Sequence, residues 1–143
     1  KEKYKLNNVI TKNILLSNAE KEIDFVSMIE NTPTIKKNAI TIDKFVEENN
    51  FEKIDYIKMD VEGAEKNILE GSIKTIKKFK PFLAIAIYHG GKLFMEDFYN
   101  ISIFIKNIIN EDYEYYIITF HPAGLETILF CKPKDWKIIK LIV

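Results

Sequence analysis

Residues Ile54–Glu65, IDYIKMDVEGAE, run a short apolar strand straight into an acidic bend that carries the first glycine of the chain. In an α/β protein the carboxyl end of a parallel strand is where ligands sit, because side chains and helix-start amides converge there. Asp60, Glu62 and Glu65 fall within six positions at that edge. A strand leading directly into a helix constrains the elements on either side, and these follow from hydrophobic spacing and turn residues.

Val9–Leu16 (VITKNILL) reads as a strand and Glu22–Ile29 (EIDFVSMI) as a second extended segment, with a polar turn between them. Asn31–Asn38, containing Pro33, reads as loop. Ala39–Ile42 is briefly extended, and Asp43–Asn49 reads as a short helix that Thr41 or Asp43 caps. After the strand Ile54–Met59, the apolar positions Ile68, Leu69, Ile73, Ile76 and Phe79 predict an amphipathic helix over Glu65–Phe79, interrupted near Gly71. Pro81 stops it. Phe82–Tyr88 is apolar on both faces, as a buried parallel strand requires. His89-Gly90-Gly91 makes a sharp loop, and Phe94–Asn110 repeats apolar residues at helical spacing. Tyr115–Phe120 and Thr127–Lys132 are strands joined through Pro122-Ala123-Gly124, too tight a connection for anything but an antiparallel pair. The whole is one domain over residues 1–143, of three-layer α/β class, ending in an antiparallel hairpin.

Composition narrows the partners. The 143 residues are 47% hydrophobic, enough for a core, and 21 cations balance 21 anions. All the cations are Lys. Without the planar fork of Arg, which grips phosphates and guanine edges, nucleic-acid binding is disfavoured. Cys131 alone rules out an internal disulfide, and its apolar setting in ETILFCK favours a buried, inert thiol over a nucleophile. No run reaches the 18 or so apolar residues of a membrane span, and no signal-peptide plan is visible, so a cytoplasmic protein without membrane contact is expected. The opening KEKYKLNNV, with no Met, reads as the interior of a longer protein.

The acidic bend with its continuation KNILEG, and KPFLAIAIYH further on, resembles the FkbM-like family of S-adenosylmethionine-dependent methyltransferases. NILLSN, AITIDKFVEE and ETILFCK resemble further segments of the same family. The resemblance implies the Rossmann-like class I methyltransferase fold, a mostly parallel sheet whose last strand inserts antiparallel. It implies S-adenosylmethionine as cofactor and a hydroxyl of a sugar or small metabolite as methyl acceptor. That family holds its cofactor on a Gly-rich turn after the first strand, yet no glycine precedes Gly63 here. The chain therefore reads as a partial domain lacking the first two strands, with the edges of Val9–Leu16 and Ile54–Met59 left open. Weak or absent cofactor binding by this chain alone is the expectation.

Methyl transfer to oxygen is an in-line displacement that needs alignment and a proton acceptor. Asp60, at the mouth of its strand, is placed for that role and, by resemblance, for facing the cofactor's methyl group; its ordinary alternative is a helix cap. Glu62, beside Gly63, is aimed into the cleft or is simply a charge at a helix start, and Glu65 reads as a first-turn charge favoured by the helix dipole. Lys58 pairs with one of these acids. His89, after a buried strand, acts as a base or orients a hydroxyl, or is a satisfied loop histidine. Tyr88 lines the same pocket or packs in the core, and His121 reads as a surface turn residue. Ser17 and Asn18 are adenine contacts only by the resemblance.

A metal site of Asp60, Glu62 and His89 is conceivable for a hard cation, but the three stand on separate loops without ligand spacing, so no metal is expected. No zinc cluster, phosphate loop or nucleophile elbow is present. Two further readings compete with the methyltransferase: a different α/β transferase that uses a divalent cation at the acidic turn, and a non-catalytic module that binds a partner through its open strand edge.

Overall fold

The computed structural model describes residues 8–25, 33–89, 94–109, 112–123 and 126–136. In chain order the elements are β1 (Leu15–Leu16), β2 (Lys21–Phe25), β3 (Ile35–Ile40), α1 (Ile42–Glu48), β4 (Tyr56–Met59), α2 (Glu65–Glu70), α3 (Ile73–Phe79), β5 (Phe82–Ala86), α4 (Phe94–Ile109), β6 (Tyr113–Thr119) and β7 (Thr127–Pro133). They form a three-stranded sheet ordered β1-β3-β2 and a four-stranded sheet ordered β4-β5-β7-β6.

Pleat parity explains the core. Along the ladders, Met59, Leu83, Ile85, Leu129, Cys131 and Tyr113 share one face of the larger sheet. These residues form a single buried cluster with Ile68 and Leu69 of α2, Ile76 of α3 and Ile101, Ile105 and Ile109 of α4. The helical spacing read from the sequence is therefore the spacing that meets this face. Cys131 is fully buried within it, and burial pushes its thiol up to about 12, which makes it inert as expected. On the opposite face Phe82 contacts Tyr56, Phe130 and Trp136 as neighbouring rings.

The α/β class holds, and among the described residues the sheets are mixed where a mostly parallel sheet was expected. Among the described residues, α2, α3 and α4 all pack on one face of the larger sheet. Only the β1–β3 and β4–β5 ladders are parallel, while β2–β3, β5–β7 and β6–β7 are antiparallel. The C-terminal hairpin is antiparallel as expected. β4 and β1 each lie at the edge of a sheet, and they lie in different sheets.

Local expectations fail where strand pairing overrides composition. The loop assigned to Asn31–Asn38 contains β3 from Ile35 onward, a mostly polar strand stabilised by ladders on both sides. Conversely, the strand expected at Val9–Leu16 shrinks to two residues; Val9 and Ile10 have no ladder partner and are exposed. The segment Glu22–Ile29 is strand only through Phe25, with residues 26–32 outside the described set, as are Gly90 and Gly91. The helix expected over Glu65–Phe79 with a break near Gly71 is, as expected, two helices, α2 and α3, that meet there. A Cβ there would stand 2.3 Å from the Ser17 carbonyl, so only glycine lets β1's end approach so closely.

Both candidate caps of α1 are used, in different places. The Thr41 Oγ1 accepts from the Lys44 amide at the start of α1. Asp43 reaches instead to α3, where its carboxylate accepts from the amides of Lys74 (3.1 Å) and Thr75 (2.7 Å). It supplies the acceptor that the Ser72 side chain does not.

Candidate functional site

Parallel pairing builds the site. β4 and β5 run side by side with Met59 opposite Ile85, so their carboxyl ends open at the same edge. Asp60 leaves β4 there, and Tyr88 and His89 follow β5. Residues separated by 28 and more positions in the chain thereby become neighbours.

The bend after β4 is backbone-strained. Glu62 has φ +56° and Gly63 φ +96°, both in the left-handed region. Glycine is at ease there; a glutamate costs of order 1 kcal/mol or more, which persists only where surroundings fix it. Here the fixing group is Glu65. Its carboxylate is 1% exposed and accepts from the Val61 amide (3.0 Å) and the Gly63 amide (2.9 Å), closing the bend onto the first turn of α2. It also meets His89 Nδ1 at 2.7 Å. One buried carboxylate thus shapes the acidic loop and orients the imidazole.

That contact orients the ring, with Nδ1 against Glu65 and Nε2 turned toward the acids. Nε2 lies 3.6 Å from Asp60 Oδ1 and 3.6 Å from Glu62 Oε2, and it is buried without a hydrogen-bond partner. Asp60 is also held from two other sides: the Lys58 Nζ donates to Oδ2 (3.0 Å) and the Tyr88 hydroxyl to Oδ1 (3.3 Å). Burial works to raise the Asp60 carboxyl. The hydrogen bond and charge of Lys58, the Tyr88 hydroxyl and the proximity of His89 outweigh it and hold the group below the usual carboxylate range. Tyr88 is pushed up by burial and by the Asp60 charge, so it stays a donor.

Asp60, Glu62 and His89, the three residues singled out for chemistry, are brought together. Lys58 takes the ion-pair role expected of it. Asp60 does not cap α2, whose first turn begins after Ala64 with no side-chain cap bond. The sequence reading missed the work of Glu65, because an acid in a first helical turn has a sufficient local explanation; its burial depends on β5 bringing His89 over it. Ser17 and Asn18 lie elsewhere. Ser17 is buried with its carbonyl against Gly71 and its hydroxyl on Asn18 Oδ1, and the Asn18 side-chain amide donates to Glu70 at the far end of α2 and accepts from Lys21. His121 is an exposed turn residue that accepts from the Ala123 amide, as expected.

The site is an open edge, not a closed cavity: the side chains of Asp60 and Glu62 are 33% and 58% exposed. A larger cavity opens between α1 and α3, lined by Thr41, Lys44, Glu47, Lys74 and Phe79. Of its acids Glu20, Asp43 and Glu47, Asp43 is already engaged by the amides of α3. Among the described residues no helix is long and apolar enough to cross a membrane.

Comparison with known proteins agrees with the sequence resemblance. The family model described as "Methyltransferase FkbM domain" matches residues 2–119. The fold is similar to the crystal structure of methyltransferase FkbM from Methylobacillus flagellatus KT, with a TM-score of 0.66 and 23% sequence identity. That alignment covers 84% of this chain and 27% of the other, so the chain spans about a quarter of that protein's length. No curated protein matches the sequence.

Proposed function

Because the chain belongs to the FkbM methyltransferase domain family, we propose that it forms the acceptor side of an S-adenosylmethionine-dependent methyltransferase acting on a hydroxyl of a sugar or small metabolite. One observation carries this reading: at the shared carboxyl edge of β4 and β5, the Glu65 carboxylate orients His89 toward Asp60, which is held ionised by Lys58 and Tyr88. Such an edge can bind a hydroxyl, align it and take its proton.

In this scheme Asp60 Oδ1 accepts the acceptor's hydroxyl hydrogen, since Oδ2 is already engaged by Lys58. His89 Nε2, whose lone pair is directed by the Glu65 contact on the other nitrogen, stands next to it as a second proton acceptor. Glu62 supports both through its carboxylate, 3.6 Å from His89 Nε2. Positioned proton transfer of this kind is worth about 10²–10⁴ in rate.

The cofactor, when bound, supplies the electrophilic methyl group. The residues taken by resemblance for its adenine do not fit a cradle: Ser17 is buried against backbone, and Asn18 is committed to Glu70 and Lys21. No glycine-rich turn precedes the acidic bend either. Both points support a partial domain lacking the first two strands of the class I fold, with β4 exposed at the edge they occupy. No step is therefore assigned to the cofactor here, and calorimetry on this chain should detect weak S-adenosylmethionine binding at most.

The acceptor-side reading is tested by Asp60→Asn in the full-length enzyme. Turnover should fall about 100-fold or more while cofactor affinity changes little. Unchanged turnover removes Asp60 from the chemistry.

A further inference from the structure

We infer that Asp60, Glu62 and His89 form a divalent-cation site. Each offers one ligand atom, and these atoms all lie within 4.8 Å of one another. An acidic cluster alone would mean little, since exposed acids are common. The second observation is His89: its side chain is 8% exposed, and its Nε2 is buried, without a hydrogen-bond partner and directed between the two carboxylates.

With Nδ1 engaged by Glu65, Nε2 is the ring atom left to ligate an ion, in the tautomer that keeps its proton on Nδ1. Three acceptor atoms then face each other with no donor among them, separated by 3.6 Å along both imidazole–carboxylate edges. That separation is too long for a hydrogen bond. It suits a shared ion: with metal–ligand bonds of about 2.0–2.2 Å, two atoms on one cation stand about 3–4.3 Å apart, depending on their angle. The buried carboxylate behind the imidazole is the arrangement that fixes tautomer and ring orientation in metal-bound histidines.

Neighbouring charges leave room for the ion. Lys58 sits on Asp60 Oδ2, away from the cluster, and the Tyr88 hydroxyl shares Oδ1 without blocking its second lone pair. Glu62 is exposed on the outer side, so the remaining coordination positions open to water or to an acceptor oxygen. Two carboxylates with one imidazole favour a first-row divalent ion such as Mn²⁺ over Ca²⁺ or Mg²⁺, which prefer all-oxygen shells. With the ion bound, Asp60 and His89 serve as its ligands and the ion takes over from them in holding and polarising the acceptor hydroxyl, a role that rests on the acceptor-side reading above. As a cation site it stands without it.

The test is a titration of the purified protein with Mn²⁺, following the free ion by electron paramagnetic resonance. One equivalent should bind saturably. Glu62→Gln, a change at an exposed side chain that leaves the fold intact, should weaken binding about tenfold or more, and Asp60→Asn likewise. Glu114→Gln, on the distant hairpin, should leave it unchanged. Bound Mn²⁺ should also broaden the His89 imidazole resonances in the wild type at a concentration where Glu62→Gln shows none. Absence of saturable binding up to millimolar Mn²⁺, or binding indifferent to both acidic substitutions, overturns the site and leaves His89 as an imidazolium paired with two acids. Neither cofactor nor acceptor enters this titration, so its failure is distinct from a failure of the methyl-transfer reading.

Discussion

In the four-stranded sheet, the inward positions of β4, β5 and β7 are closed over by three helices, whereas the described side chains of β1-β3-β2 are mostly exposed or half-buried, with Leu16 packed against that core. Leu83, Ile85 and Leu129 are at most 1% exposed; among the described side chains of the smaller sheet Ala39 is the buried hydrophobic one, and Ile35 is 44% exposed. The first sheet is held by volume and the second by ladders and a few close contacts. Those contacts converge on one place: the Ser17 carbonyl against Gly71, the Asp43 amide on the Gly71 carbonyl, and the Asp43 carboxylate on α3. Burial of apolar surface scales with area and tolerates local change, while a close backbone approach depends on single atoms. The candidate site stands on the well-packed sheet, which suits a constellation that must be held within fractions of an ångström.

The largest expected effect tests the packing half of this contrast. Leu83→Ala should lose about 3 kcal/mol in denaturant unfolding, as large-to-small changes in closed cores do. Ile35→Ala should stay within about 0.5 kcal/mol, as exposed substitutions do. Equal losses at the two positions would mean that Ile35 is packed as deeply as Leu83.

Next in size is the junction. Gly71→Ala forces a Cβ onto the Ser17 carbonyl and should cost about 2 kcal/mol or more, with the Ser17 amide, bonded to the Ile40 carbonyl, losing hydrogen-exchange protection before the amides of β5 do. Uniform loss of protection would show that the two sheets unfold as one unit.

The smallest effect lies at the site itself. The Asp60 carboxyl is lowered in the folded protein, so its ion pair with Lys58 stabilises at pH values above the ordinary carboxylate range. That contribution is lost as pH falls below about 4, through the lower folded value. Both groups are partly exposed, so the change is small. Lys58→Met should flatten this acid limb in thermal unfolding measured between pH 6 and pH 3; an unchanged limb would assign the acid sensitivity to other carboxylates.

Much of the fold was legible because its signals are local. Helical spacing from Ile68 to Phe79 and from Phe98 to Ile109, the break near Gly71, and the tight turn that makes β6 and β7 antiparallel all follow from residues within a few positions of one another. Most of β3 was not legible: its first four residues, IKKN, read as loop, and their strand character comes from the ladder with β2. The candidate site divides in the same way. Asp60, Glu62 and His89 each showed as polar residues at strand ends, but nothing local tells that they meet.

By itself, the sequence determined the acidic bend, its place after a strand and before a helix, and the resemblance that the family match bears out. Only tertiary structure decided that β4 and β5 lie parallel with Met59 opposite Ile85, that His89 therefore reaches Asp60 and Glu62, and that Glu65 is buried behind it. Turn chemistry and periodicity act over a few residues, whereas register and burial are settled by which distant surfaces exclude water together.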